Sequence, residues 1–93
     1  MREPLTFVEA RQLVRRILQN GAIGFSRHAL DEMRNDNLSE IDIKNVLRGG
    51  HVTDCILEKG TWRYRVTTPN MTAVVAFRNE YEVKVVTTWR SKK

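Results

Sequence analysis

From His51 to Trp89 apolar and polar residues alternate with a period of two, and this alternation constrains the fold more than any other feature of the chain. It predicts four strands, roughly His51 to Glu58, Thr61 to Thr67, Thr72 to Arg78 and Glu82 to Trp89. Lys59-Gly60 and Pro69-Asn70 are natural two-residue hairpin turns, and a loop around Asn79-Glu80-Tyr81 makes the third connection. Links this short join antiparallel neighbours. The expected sheet is therefore a four-stranded antiparallel meander.

Turn length sets the register. The first turn places Leu57 opposite Trp62, Cys55 opposite Tyr64 and Asp54 opposite Arg65. The second places Val66 opposite Ala73, Tyr64 opposite Val75 and Trp62 opposite Phe77. A two-residue turn in the last hairpin would bring Glu82 and Lys84 onto the apolar face. A three-residue loop instead sets Phe77 opposite Val83, Val75 opposite Val85 and Ala73 opposite Thr87. One residue of slip exchanges the two faces, so the three-residue loop, with room for a bulge, is the expectation. One face then holds Cys55, Leu57, Trp62, Tyr64, Val66, Ala73, Val75, Phe77, Val83, Val85, Thr87 and Trp89 under the helices. The open face carries Asp54, Arg63, Arg65, Arg78, Lys84, Thr88 and Arg90, with Arg78 and Glu82 as a second opposed pair.

Before His51 the period is helical. Thr6 and Glu9 form a capping box for a helix to Asn20, and Ala10, Leu13, Val14, Ile17 and Leu18 make its apolar stripe. Gly21 stands where a left-handed C-cap belongs. Ala22 to Phe25 is a short connection with room for extended backbone. Ser26 is the N-cap of a second helix that fails by Asn35-Asp36-Asn37. Ser39 with Asp42 caps a third, which Leu38 and Ile43 staple and Gly49-Gly50 ends. The fold class is α+β: three N-terminal helices packed on one face of the meander. The 93 residues make one domain, with a helical half at 6–49, a sheet half at 51–89 and a basic tail at 90–93.

Charge points to the partner. Sixteen basic residues outweigh eleven acidic ones by five, and eleven of the sixteen are arginine. Arginine grips phosphate with a planar fork, so the bias favours nucleic acid. Basic domains that bind nothing anionic also exist. No apolar run approaches a bilayer span, and the arginine-rich N-terminus is not a secretory leader, so a cytoplasmic location is expected. The single cysteine, Cys55, suits a reducing compartment.

His28 is the leading candidate for chemistry. It falls in the first turn of a helix, where the dipole opposes a positive imidazole and favours bound anions. A neutral histidine there can act as a general base, or it can simply fill a polar pocket. His51, the only other histidine, is expected at an exposed sheet edge. Two histidines and one cysteine without ligand spacing make no metal site, and no cofactor is expected. Arg63, Arg65, Arg78 and Arg90 either contact phosphate or form a solvated face paired with Asp54 and Glu82. Trp62, Tyr64, Phe77 and Trp89 are expected in the core.

The run Phe25-Ser26-Arg27-His28-Ala29-Leu30-Asp31-Glu32-Met33, followed by Leu38-Ser39-Glu40-Ile41-Asp42 and Val46-Leu47-Arg48-Gly49-Gly50, resembles a family of small bacterial proteins classed as a domain of unknown function. Trp62-Arg63-Tyr64-Arg65-Val66, Ala73-Val74-Val75-Ala76 and Val85-Val86-Thr87-Thr88 resemble its remaining strands, so the likeness spans about residues 7–89. That family is similar to RelE-like and barnase-like ribonuclease toxins, including the motility quorum-sensing regulator toxin. The resemblance implies a curved antiparallel sheet and metal-free cleavage of RNA by its own 2′-hydroxyl. It also implies a cognate antitoxin, with mRNA as a possible substrate and a homodimer left open. By position, His28 matches the family histidine, Arg63 or Arg65 the strand arginine, and Thr87 the threonine of the last strand. Arg27, Arg78, Lys84 and Arg90 would then follow the RNA backbone.

Three readings stand: an endoribonuclease toxin, a non-catalytic nucleic-acid-binding module, and a protein-interaction domain. The register leaves a conflict, because Thr87 falls on the covered side and the arginines on the open side. A shared site needs either a sheet edge that His28 can reach or a one-residue shift near Thr87.

Overall fold

Thr6 opens the first helix as its cap chemistry requires. Its hydroxyl accepts from the Glu9 amide at 3.1 Å, and the Glu9 carboxylate accepts from the Thr6 amide at 2.9 Å. The computed structural model describes residues 1–91 of the chain. Their elements are α1 (Phe7–Asn20), β1 (Ala22–Phe25), α2 (Arg27–Asn35), α3 (Glu40–Gly49), β2 (His51–Glu58), β3 (Thr61–Thr67), β4 (Met71–Asn79) and β5 (Glu82–Arg90). Ser39 and Asp42 repeat the capping box at α3. In both boxes these hydrogen bonds hold the carboxylate below its usual range. Helix α2 ends in a Schellman turn. Asn37 takes φ 57°, Asn37 N donates to Arg34 O at 3.3 Å, and Leu38 N donates to Met33 O at 2.7 Å.

The sheet corrects the four-stranded antiparallel meander. It has five strands in the order β1-β5-β4-β3-β2, and β1 pairs with β5 in parallel from Ala22↔Glu82 to Phe25↔Val85. The three helices are where the periodicity predicts them, but a strand interrupts them. Ala22 to Phe25 leaves room for extended backbone, but four residues carry no resolvable alternation and the partner strand lies about sixty positions away, so nothing local announces the pairing of β1. Nor is Gly21 a left-handed cap: its backbone is extended, with φ −119°. A Cβ there would collide with the Tyr81 carbonyl, which accepts from the Ala22 amide at 2.9 Å. Glycine serves close approach at this junction. At Lys59-Gly60 both residues take positive φ, 52° and 79°, as a two-residue hairpin turn demands.

Much of the register holds. Leu57 faces Trp62, Cys55 faces Tyr64, Asp54 faces Arg65, Tyr64 faces Val75 and Val66 faces Ala73. Beyond the last turn Phe77 faces Val83 and Val75 faces Val85. The turn itself is two residues, Glu80-Tyr81, with Asn79 opposite Glu82 and an irregularity at Arg78 in place of the three-residue loop. A second bulge changes more. Val85 pairs with Val75 but Thr87 pairs with Val74, leaving Val86 as the extra residue. Ala73 therefore faces Thr88, not Thr87.

Everything after Val86 changes side. Thr88 enters the core, fully buried, and its hydroxyl donates to Thr72 O at 2.8 Å. Thr87 and Trp89 come out onto the open face, contrary to the expectation that both lie under the helices. Arg90 leaves that face, and its Nε donates to Asp36 O at 3.1 Å, at the end of α2.

The bulge also marks where β1 stops. Ser26 N donates to Val85 O at 2.9 Å and Ser26 Oγ to Val86 O at 2.6 Å. From there α2 runs beside the second half of β5, as β1 runs beside the first. The nine residues of α2 span about 14 Å, close to the length of strand left to cover.

The core fills the space between the helices and the covered face: Leu13, Val14 and Ile17 of α1, Met33 of α2, Ile43 and Leu47 of α3, and Tyr64, Val75, Val83 and Val85 of the sheet. Tyr64 and Phe77 pack as a tilted pair with centroids 5.3 Å apart. Trp62 and Cys55 pack only at its margin, and Leu57, beside the turn of the edge hairpin, is exposed.

Candidate functional site: a cavity on the open sheet face

Asp54, Arg65, Val74 and Thr87 stand opposite one another in one row across β2, β3, β4 and β5. Strands lie about 4.8 Å apart, so Arg65 and Thr87 are anchored roughly 10 Å from each other. Arg63, Ile56, Glu58 and Trp89 join the row to line a shallow cavity of about 210 Å³. Three residues named from the sequence, Arg63, Arg65 and Thr87, are thus brought together. The bulge at Val86 does this, and the one-residue shift near Thr87 is the branch of the earlier conflict that the fold takes.

The Arg65 guanidinium carbon lies 5.5 Å from the centroid of the Trp89 ring, within cation–π range. Asp54, though directly opposite Arg65, turns its carboxylate to the backbone, where Oδ1 accepts from Cys55 N at 2.8 Å. Arg63 Nη1 meets Glu58 Oε2 at 3.3 Å. Its Nε is buried and has no hydrogen-bond partner. A buried N–H of a cation that lacks an acceptor carries a desolvation cost that an arriving anion would remove.

Towards the β4–β5 turn Arg78 Nε lies 3.6 Å from Glu82 Oε2, and Lys84 is half-buried opposite Ala76. The open face therefore keeps Arg63, Arg65, Arg78 and Lys84, against the carboxylates of Asp54, Glu58 and Glu82. Arg90 is committed to α2. Lys92 and Lys93 of the expected basic tail lie outside the described residues.

His28 and Arg27 are exposed in the first turn of α2 and do not line the cavity. Ser26 holds that turn against Val86, so His28 begins beside β5 next to the strand position before Thr87. No hydrogen bond or ion pair engages either side chain among the described residues. His51 pairs with Thr67 at the far end of the edge strand and is exposed, as expected.

The sequence reading did not assign Trp89 or Glu58 to the site. For Trp89 a signal was present: the doubled Val85-Val86 breaks strict alternation, the mark of an inserted residue. Burial raises the Cys55 thiol pKa, so this cysteine is a poor nucleophile. Among the described residues no cluster of three or more His, Cys, Asp or Glu is placed to hold a metal ion. No helix among them is long and apolar enough to cross a membrane.

No curated protein and no solved structure matches the chain. One family profile does match, over residues 25–90, a stretch that runs from the end of β1 to the end of β5 and contains every cavity residue. Since that stretch is most of the chain, the protein belongs to the family described as Domain of unknown function (DUF4258).

Proposed function

We propose that this chain is a metal-independent endoribonuclease, the toxin of a bacterial type II toxin–antitoxin system, and that the open-face cavity receives the scissile phosphate. The observation that carries the reading is the convergence of Arg63, Arg65 and Thr87 in one cavity, with a buried arginine N–H that lacks an acceptor. The resemblance to RelE-like and barnase-like toxins supports it from a separate direction.

In this reading the 2′-hydroxyl of the RNA attacks the adjacent phosphorus. A base takes its proton, the bond to the 5′-oxygen breaks, and an acid protonates the leaving oxygen. The products are a 2′,3′-cyclic phosphate and a 5′-hydroxyl. Arg63 and Arg65 offset the charge that builds on the phosphorane oxygens. Thr87 orients the phosphate or the attacking hydroxyl. His28 supplies the base or acid from the start of α2, and Arg27, Arg78 and Lys84 follow the RNA backbone. A cognate antitoxin would be the protein partner.

A second reading, a module that binds nucleic acid without cutting it, is favoured by one observation: His28 does not line the cavity. Arg65→Ala and His28→Ala separate the two. With folding intact, each variant is expected to cut RNA about 10²-fold more slowly or worse and to lose growth arrest on expression. A wild-type protein that binds RNA and never cuts it would overturn the nuclease reading. Undiminished cleavage by His28→Ala would make that histidine structural.

A further inference from the structure

We infer that the Arg65–Trp89 pair is a stacking platform for one unpaired nucleobase, so that this face takes single-stranded rather than duplex RNA. The inference rests on the proposal that the open face binds RNA, but not on cleavage.

The chain has two tryptophans. Trp62 packs against the core margin. Trp89 is the one that the Val86 bulge turns outward. It remains half-buried, lines the cavity beside Arg65, and also borders a neighbouring hollow with Asp36 and Arg90. An indole on an open sheet face leaves apolar ring surface near water, which packing alone does not require. The guanidinium of Arg65 lies over that ring, 5.5 Å from its centroid. Guanidinium planes and aromatic rings are the two side-chain surfaces on which splayed-out bases stack.

Arg63 is two residues from Arg65 along β3, about 7 Å away at strand spacing, and projects to the same side. Arg63 lines the same cavity, and its Nε is buried without a hydrogen-bond partner. One nucleotide can therefore present its base to the Arg65–Trp89 pair and its phosphate to Arg63. A duplex cannot do this. Its bases show only their edges in the grooves, with their faces covered by neighbours in the stack.

Fluorescence tests this directly. In Trp62→Phe the only emitting indole is Trp89. This protein is titrated with a single-stranded 2′-deoxy oligonucleotide, which cannot be cut through a 2′-hydroxyl, and with the duplex of the same sequence. The single strand is expected to quench Trp89 emission and to bind at least ten-fold tighter than the duplex. Trp89→Ala should weaken single-strand binding about ten-fold or more, and Trp89→Phe should retain most of it. Equal affinity for duplex and single strand, an unmoved Trp89 signal at saturation, or an unchanged Kd in Trp89→Ala each overturn the inference. If Trp89→Ala does not fold, the quench and the Phe variant still decide. Stacking without RNA cleavage by the wild type would sink the nuclease reading and keep the platform. Cleavage with Trp89-independent binding would do the reverse.

Discussion

Tyr64 sits at the centre of the covered face with no exposed surface, yet its hydroxyl is fully used. It accepts from Leu5 N at 2.9 Å and donates to Glu3 Oε2 at 2.8 Å, tying the segment before α1 to the core. Burial and the Glu3 carboxylate push its phenol well above the usual range, so it stays a neutral donor. Tyr64→Phe removes the donor to Glu3 and leaves the Leu5 amide without its acceptor. The expected cost is about 1–3 kcal/mol, read from a urea midpoint at unchanged slope. Faster hydrogen exchange should be confined to the segment before α1. Arg90 shows the opposite case at the same scale. Its charge suggests the RNA face, while its position one residue past Trp89 directs it to the carbonyl of Asp36.

Elements meet at two junctions, and both depend on what a backbone atom can approach. At the first, Gly21 passes so close to the turn between β4 and β5 that a side chain would strike the Tyr81 carbonyl. Gly21→Ala must move either β1 or that turn, since a carbonyl oxygen has no rotamer with which to give way. A loss of about 1–3 kcal/mol is expected, with Ala22 amide protection falling first, because its bond to Tyr81 O is the one strained. Unchanged stability would mean that β1 docks more loosely than its pairing implies. The second junction is the Val86 bulge, which ends the parallel pairing, starts α2 through Ser26 and assigns Thr87 and Trp89 to the cavity. In the local pattern, Val85-Val86-Thr87-Thr88 shows only that alternation breaks. Which of these residues is the extra one depends on the partner strand, because a bulge is a mismatch between two chains of pairing groups.

For the whole molecule, charge counted along the chain overstates charge on the site. The excess of five is that of sixteen basic over eleven acidic residues, and the eleven arginines among the basic ones are spread along the chain from Arg2 to Arg90. On the open face, Arg63 and Arg78 are already paired with Glu58 and Glu82. Binding of single-stranded RNA should therefore displace few counterions. With two to four phosphates neutralised, the slope of log K against log salt is expected at roughly −1.4 to −2.8. A slope steeper than about −5 would mean that cations beyond those of the open face join the contact.

The amino-acid sequence by itself determined the helix caps, the helical faces, the Lys59-Gly60 turn and the pairing from Asp54↔Arg65 to Val75↔Val85. These follow from interactions between residues close in the chain, or from turn lengths that propagate a register. It also singled out Arg63, Arg65 and Thr87, though not that they share a face. Tertiary structure alone decided the parallel β1, the side on which Thr87 and Trp89 emerge, and the distance between His28 and the cavity. Each of those depends on contacts between segments far apart in the chain, where a four-residue strand or a one-residue bulge has too few positions to leave a periodic trace, yet enough hydrogen bonds to set which side chains meet.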